Sequence, residues 1–246
     1  MDLGRSGGNA VGMSNFNQGL SAVTDEGGAG PAGVGRVAGW GLIVMSVLTV
    51  VFMWMHPTTG THDAGEFVER AGRGVPGNTF VHGALVTVIL MMATCFLWLR
   101  DVLGPRRALV RAGLVALVVG TAGAVCAGLV NGFIVPNVAA RYVGAGPEDV
   151  AALKPVLVML REANATLARV SVVGLSLTAV AWSSCVLMMP GWRRAAGVIG
   201  LLCGLAPLAM HAGEHLRMNV SGYGLFVQIH AVWGVMAGLV MVVRRG

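Results

Sequence analysis

Residues 112–130, AGLVALVVGTAGAVCAGLV, run for 19 positions without a charged side chain. A helix rises about 1.5 Å per residue, so roughly 20 apolar residues cross the hydrocarbon of a bilayer, and this run is long enough. Strand is excluded: an open strand would leave its backbone groups unpaired in lipid, and the run lacks the alternation of a barrel wall. Working outward, five further runs read the same way, at 37–55, 79–99, 170–189, 195–210 and 224–243. The run at 195–210 is short and carries Pro207, and its helix is expected to continue through the polar residues that follow. The chain therefore predicts an all-α integral membrane protein, a six-transmembrane-helix bundle occupying 37–246.

Composition agrees. Of 246 residues 55% are hydrophobic and only 11% charged, more apolar surface than one water-soluble core conceals. The formal charge of +6 does not point to nucleic acid, because the basic residues are scattered between apolar runs and form no basic face. They fit orientation better. Cytoplasmic flanks retain Lys and Arg during insertion, and the flanks beginning with Arg5 and Arg36 and including Arg100, Arg106, Arg107, Arg111, Arg193 and Arg194 hold the whole excess. Both termini are thus expected inside, with residues 1–36, rich in Gly, Ser and Asn, as a disordered cytoplasmic tail rather than a secretory signal. The expected location is a bacterial-type inner membrane. Cys95, Cys126, Cys185 and Cys203 all fall in apolar runs, where no disulfide framework is implied.

The loops after spans one, three and five are longer and polar, so function is sought on the outer side. The third holds a helix start at Pro147-Glu148-Asp149, followed by apolar residues at helical spacing through Asn164. That segment either lies on the membrane surface or extends span four outward. Glycines at 120, 123 and 128, at 197, 200 and 204, and at 234 and 238 allow close helix packing. The same glycine-rich faces are candidates for contact with a second copy or another chain.

All six histidines map to the outer side. Two outer hairpins leave the membrane with Met-His, at Met55-His56 and Met210-His211. Each re-enters with an aliphatic-His-small triplet, Val81-His82-Gly83 and Ile229-His230-Ala231. Four imidazoles at similar depth on four helices are expected to converge, and neutral imidazole is the commonest metal ligand. The expected ligands are His82, His211, His215 and His230, with His56 as an alternate. Zinc, iron or copper would suit such a set, and a haem needs only two facing rings, for which His82 and His230 are the candidates. Ionisable groups inside a span are costly and default to function, which makes His230 the strongest single case, with Gln228 or Glu162 as its partner. Asn131, Asn137 and Asn164 either line an outward cavity or cap helices.

The stretch His211-Ala-Gly-Glu214-His215 resembles the H-x-x-E-H pattern of inverzincin peptidases. Spaced as His-x-x-x-His, the same pair resembles the metal motifs of zinc-dependent membrane hydrolases such as ceramidases, although there the motif lies within a span and here it follows one. The resemblance covers five residues. It implies both histidines on one helical face with Glu214 as the catalytic base. The function expected from these residues is a membrane metalloenzyme or redox protein, an oxidoreductase or a hydrolase, acting on a small periplasmic or lipid-soluble substrate. A transporter and a non-catalytic membrane subunit or assembly factor are the alternatives. The span centres hold no acid and no Lys, which counts against ion-coupled transport.

Overall fold

In a computed structural model, residues 31–57, 63–216 and 218–243 are described. Contacts divide the chain into two units, Met1–Val34 and Gly35–Gly246, and all packing discussed below lies in the second. The expected disordered tail falls mostly on residues outside the description, as does His62.

The described chain is helical, and six helices are long and apolar enough to cross a membrane. This is a multi-pass membrane protein. Span one is α1 (Pro31–Trp54), and the short α2 (Ala64–Arg73) leads to span two, α3 (Val75–Leu103). Span three is α4 (Ala108–Leu129), which passes through one π turn, Val130–Ile134, into α5 (Val135–Ala140). Spans four to six are α6 (Pro147–Leu187), α7 (Arg193–Ala212) and α8 (Val220–Val242). Valines, leucines and tryptophans exposed on every span present the apolar surface that lipid covers.

With apolar surface on all sides, hydrophobicity cannot choose which faces meet; close packing and hydrogen bonds do. A Cβ built on Gly120 would stand 2.6 Å from the Leu175 nitrogen, and one on Gly174 2.6 Å from the Gly120 Cα, so α4 and α6 touch backbone to backbone. Trp182 is wholly buried and donates Nε1–H to the Val110 carbonyl at 3.1 Å, fixing the other end of this pair. A Cβ on Gly204 would meet the Ser176 carbonyl at 2.8 Å, and one on Gly238 the Gly39 carbonyl at 2.6 Å. The glycine faces considered for a partner chain are therefore filled within the bundle. Phe96 stacks on Trp233, ring centres 4.5 Å apart at 16°, and joins α3 to α8 at the centre of the core.

The structure decides between the two readings of the segment at Pro147 and adds one helix that was not expected. Span four is one helix of 41 residues, about 62 Å long and roughly twice the hydrocarbon thickness, so the segment beginning at Pro147 extends it outward. The loop between spans one and two contains α2, capped by Asp63, whose carboxylate accepts from the Glu66 N–H at 2.7 Å. Val68 and Ala71 are buried, and Glu69 accepts from the Gly144 N–H at 2.7 Å and from Arg73 at 2.8 Å. These contacts dock α2 on the loop after α5. They also hold the Glu69 carboxyl below its ordinary pKa, the Gly144 hydrogen bond first and Arg73 second.

Candidate functional site

A cavity of about 430 Å³ opens inside the bundle, lined by residues of α1, α3, α4 with its π turn, α6 and α8, and the turn before α8. Polar groups gather at one end, among them His56, His82, Asn131 and Asn164; Phe96, Leu117, Leu175 and Trp233 line the other. Small side chains at Ala124, Ala127, Gly128 and Ala168 leave the space open.

The polar end is built by the π turn. Proline at 136 has no N–H, so the Gly132 carbonyl loses its α-helical donor, and the Val135 N–H, which would serve Asn131 in an α-helix, donates to the Val130 carbonyl in the π turn. The Gly132 and Asn131 carbonyls are taken by α3: Thr79 Oγ1 donates to the first at 3.3 Å and Asn78 Nδ2 to the second at 3.4 Å. This brings the turn flat against α3. A Cβ on Gly132 would run into the Cβ and Cγ of His82, so only glycine admits the ring there. The Asn131 side chain is carried onto the two imidazoles.

His56 Nε2 and His82 Nε2 lie 3.0 Å apart, and Asn131 Nδ2 lies 3.2 Å from the second and 3.4 Å from the first. The other ring nitrogens face backbone carbonyls, His56 Nδ1 to Pro57 at 3.0 Å and His82 Nδ1 to Asn78 at 2.9 Å. A carbonyl only accepts, so both interactions place the ring proton on Nδ1 and leave an Nε2 lone pair. Two lone pairs then converge on one point beside an amide whose oxygen and nitrogen exchange by a half-turn. His82 is almost fully buried and His56 half-buried. Burial first, and the neighbouring His82 second, push the His56 pKa down to about 4 against the opposing Pro57 carbonyl, so this ring is neutral at neutral pH. Such a group of atoms either shares a proton or holds a Lewis acid.

The chain matches no protein-family model, no curated protein and no solved structure.

The remaining candidates separate. His230 lines the same cavity but at its apolar end, on α8 between Phe226 and Trp233, with ring centres 4.1 and 6.0 Å away. Gln228 and Glu162, considered as its partners, are exposed and do not line the cavity. The His211–His215 pair is not a helical motif. Gly213 caps α7, and Glu214 turns left-handed at φ 57°, the one non-glycine among the described residues with positive φ. The His215 N–H closes back on the Met210 carbonyl at 2.9 Å, the helix stop of a Schellman-type turn. His211 is half-buried, Glu214 and His215 are exposed, and none of the three lines the cavity. Among the described residues no three His, Cys, Asp or Glu side chains form a metal-binding group. The expected convergence of four imidazoles is thus reduced to two, completed by an asparagine. A further polar pair is Tyr223 Oη and Ser171 Oγ, 3.0 Å apart and joining α8 to α6 beside the cavity. Nothing in the local sequence distinguishes Tyr223 from an interfacial tyrosine.

Proposed function

We propose that this chain is a membrane metalloprotein in which His56, His82 and Asn131 hold one transition-metal ion at the polar end of an intramembrane cavity. The observation that carries this reading is the pair of Nε2 atoms 3.0 Å apart, each on a ring whose Nδ1 faces a backbone carbonyl. Metal-bound histidines are oriented in this manner, their second nitrogen donating to a carbonyl or carboxylate. The edges of the triangle formed with the Asn131 amide, 3.0, 3.2 and 3.4 Å, also support it. Three cis ligands at 2.0–2.1 Å from a tetrahedral ion stand ~3.3 Å from one another. With Asn131 turned to present its oxygen, the set is two imidazoles and one carbonyl, a combination suited to zinc or copper. An ion held by these three groups would keep a fourth position for water or substrate.

A bare ion fits better than haem. Rings ligating haem iron from its two faces hold their nitrogens on opposite sides of the metal, about 4 Å apart, whereas these converge from one side. An ion with an open position would act on a lipid-soluble substrate as a Lewis acid or, with a redox-active metal, by electron transfer. Glu214 has no part in this centre.

Elemental analysis of the detergent-purified protein tests the proposal. About one equivalent of metal per chain is expected, with none in His82→Ala, and the metal-stripped protein should take up Co2+ with the visible bands of a tetrahedral ion. Protein that carries no stoichiometric metal and binds neither Zn2+ nor Co2+ refutes it, and the imidazole pair is then a proton-sharing contact.

A further inference from the structure

The cavity has a second polar feature far from the His56–His82 pair. Among the described residues His230 Nε2 is buried and finds no partner of hydrogen-bonding geometry, although the Leu175 carbonyl stands beside the ring; Nδ1 has only a 3.3 Å contact with the Phe226 carbonyl. The residue is 8% exposed and lines the cavity. Leaving such a nitrogen unpaired among Phe226, Trp233 and Leu175 is costly, and a ligand atom would relieve it.

Its depth follows from α6. Asn164, at the polar end, precedes Leu175, beside His230, by eleven residues in one unbroken helix, a rise of about 16 Å. Asn131 sits at the level of Asn164, because the antiparallel α4 meets α6 at Gly120 with Leu175 and at Gly123 with Ser171, and Asn131 lies further along. Asn164 Oδ1 is itself buried without a partner. The cavity thus offers hydrogen-bonding groups at both ends of a long apolar bore. Among the described residues no acid and no Lys lines it, and Arg161 at the mouth is the one charged side chain, 79% exposed and 3.4 Å from Glu162.

We propose that the cavity binds a slender lipid-soluble amphiphile with a polar group at each end: an anionic head at the mouth beside Arg161, and an uncharged hydroxyl or carbonyl at the deep end, recognised by His230. A plain acyl chain fills the bore but leaves His230 unpaired. A neutral imidazole donates to a carbonyl or accepts from a hydroxyl by choice of tautomer, so it serves either group. Recognition at the deep end does not require a metal at the mouth.

The test compares 12-hydroxydodecanoic acid with dodecanoic acid, titrated against the full chain in lipid nanodiscs and followed by tryptophan fluorescence, before and after metal chelation. The hydroxy acid is expected to bind at least tenfold tighter. His230→Leu should abolish that preference and His230→Gln, which keeps a hydrogen-bonding group, should retain most of it, with melting curves confirming that both variants fold. Equal or weaker binding of the hydroxy acid by wild type, binding of neither acid, or an unchanged preference in folded His230→Leu overturns the proposal. A preference that survives chelation separates this inference from the metal centre, whose failure would appear in the metal analysis alone.

Discussion

Gly132→Ala tests whether the π turn positions the imidazole pair. The new methyl would land on the Cβ and Cγ of His82, atoms tied to the backbone of α3 and unable to swing aside as the tip of a flexible side chain would. Overpacking a close-packed interior costs about 1–3 kcal/mol, and this contact belongs near the top of that range. Replacing glycine by alanine in a helix returns up to about 1 kcal/mol, which leaves a net loss of ~2 kcal/mol. Gly83→Ala is the control. It lies next to His82, but its Cβ would meet only the Phe133 ring tip at 3.6 Å, an ordinary contact, so it should be neutral or stabilising by up to about 1 kcal/mol. Thermal unfolding of both variants in one detergent, paired with their metal content, measures the two effects. Gly132→Ala should melt several degrees lower with reduced metal, and Gly83→Ala should match wild type. If the two variants are indistinguishable in both measurements, the close approach of the π turn to α3 does not position His82.

Thr79→Val removes the hydroxyl that serves the Gly132 carbonyl, which Pro136 cannot serve, and should cost about 1 kcal/mol in unfolding experiments. Asn131→Asp supplies a charged ligand and should raise Zn2+ affinity at least tenfold by competition against a chelator, whereas Asn131→Leu should lower it. Glu214→Gly removes the cost of a left-handed residue that carries a Cβ and should stabilise the fold by about 1 kcal/mol with unchanged metal content; loss of metal instead would return Glu214 to the site. The Glu69 pKa is lowered in the folded chain, so its contribution is present above the ordinary carboxylate range and is lost as pH falls through the lowered value. Hydrogen exchange at the Gly144 amide, corrected for intrinsic rate, should accelerate over that acid window, and Glu69→Gln should flatten the response.

The spans were legible because uninterrupted apolar length is a property of sequence alone, and lipid leaves helix as the one way to satisfy the backbone of such a run. Their ends were less so. Span three was expected to stop at Val130, where Asn131 breaks the apolar run, yet the helix continues to Ala140 because side chains of α3 supply what Pro136 withholds. That rescue pairs positions 53 residues apart, which no local pattern discloses. The helix α2 did carry a local signal, Asp63 three residues before Glu66 with Val68 and Ala71 following, but it is shorter than any span and was read as loop.

The candidate site shows the same division between chemistry and placement. Residue type pointed to imidazole, and His56, His82 and His230 do line one cavity. What misled was the likeness of the two Met-His hairpins, which placed four rings at one depth. Depth is set by where each helix begins, and α3 starts at Val75 and α8 at Val220, so His82 lies seven residues inside its helix and His230 ten. Those three extra residues account for only about 4.5 Å of the separation along the bore, and the rest comes from where the two helices start relative to one another. At the other hairpin end, α7 stops at Ala212 and the chain turns at Glu214, which is left-handed, inside the five-residue motif expected to be helical. With the helix ended before His215, that residue does not share a helical face with His211. The residue that replaces them beside His56 and His82 is Asn131, whose amide reaches the rings only because a proline five positions later prevents an ordinary α-helical turn.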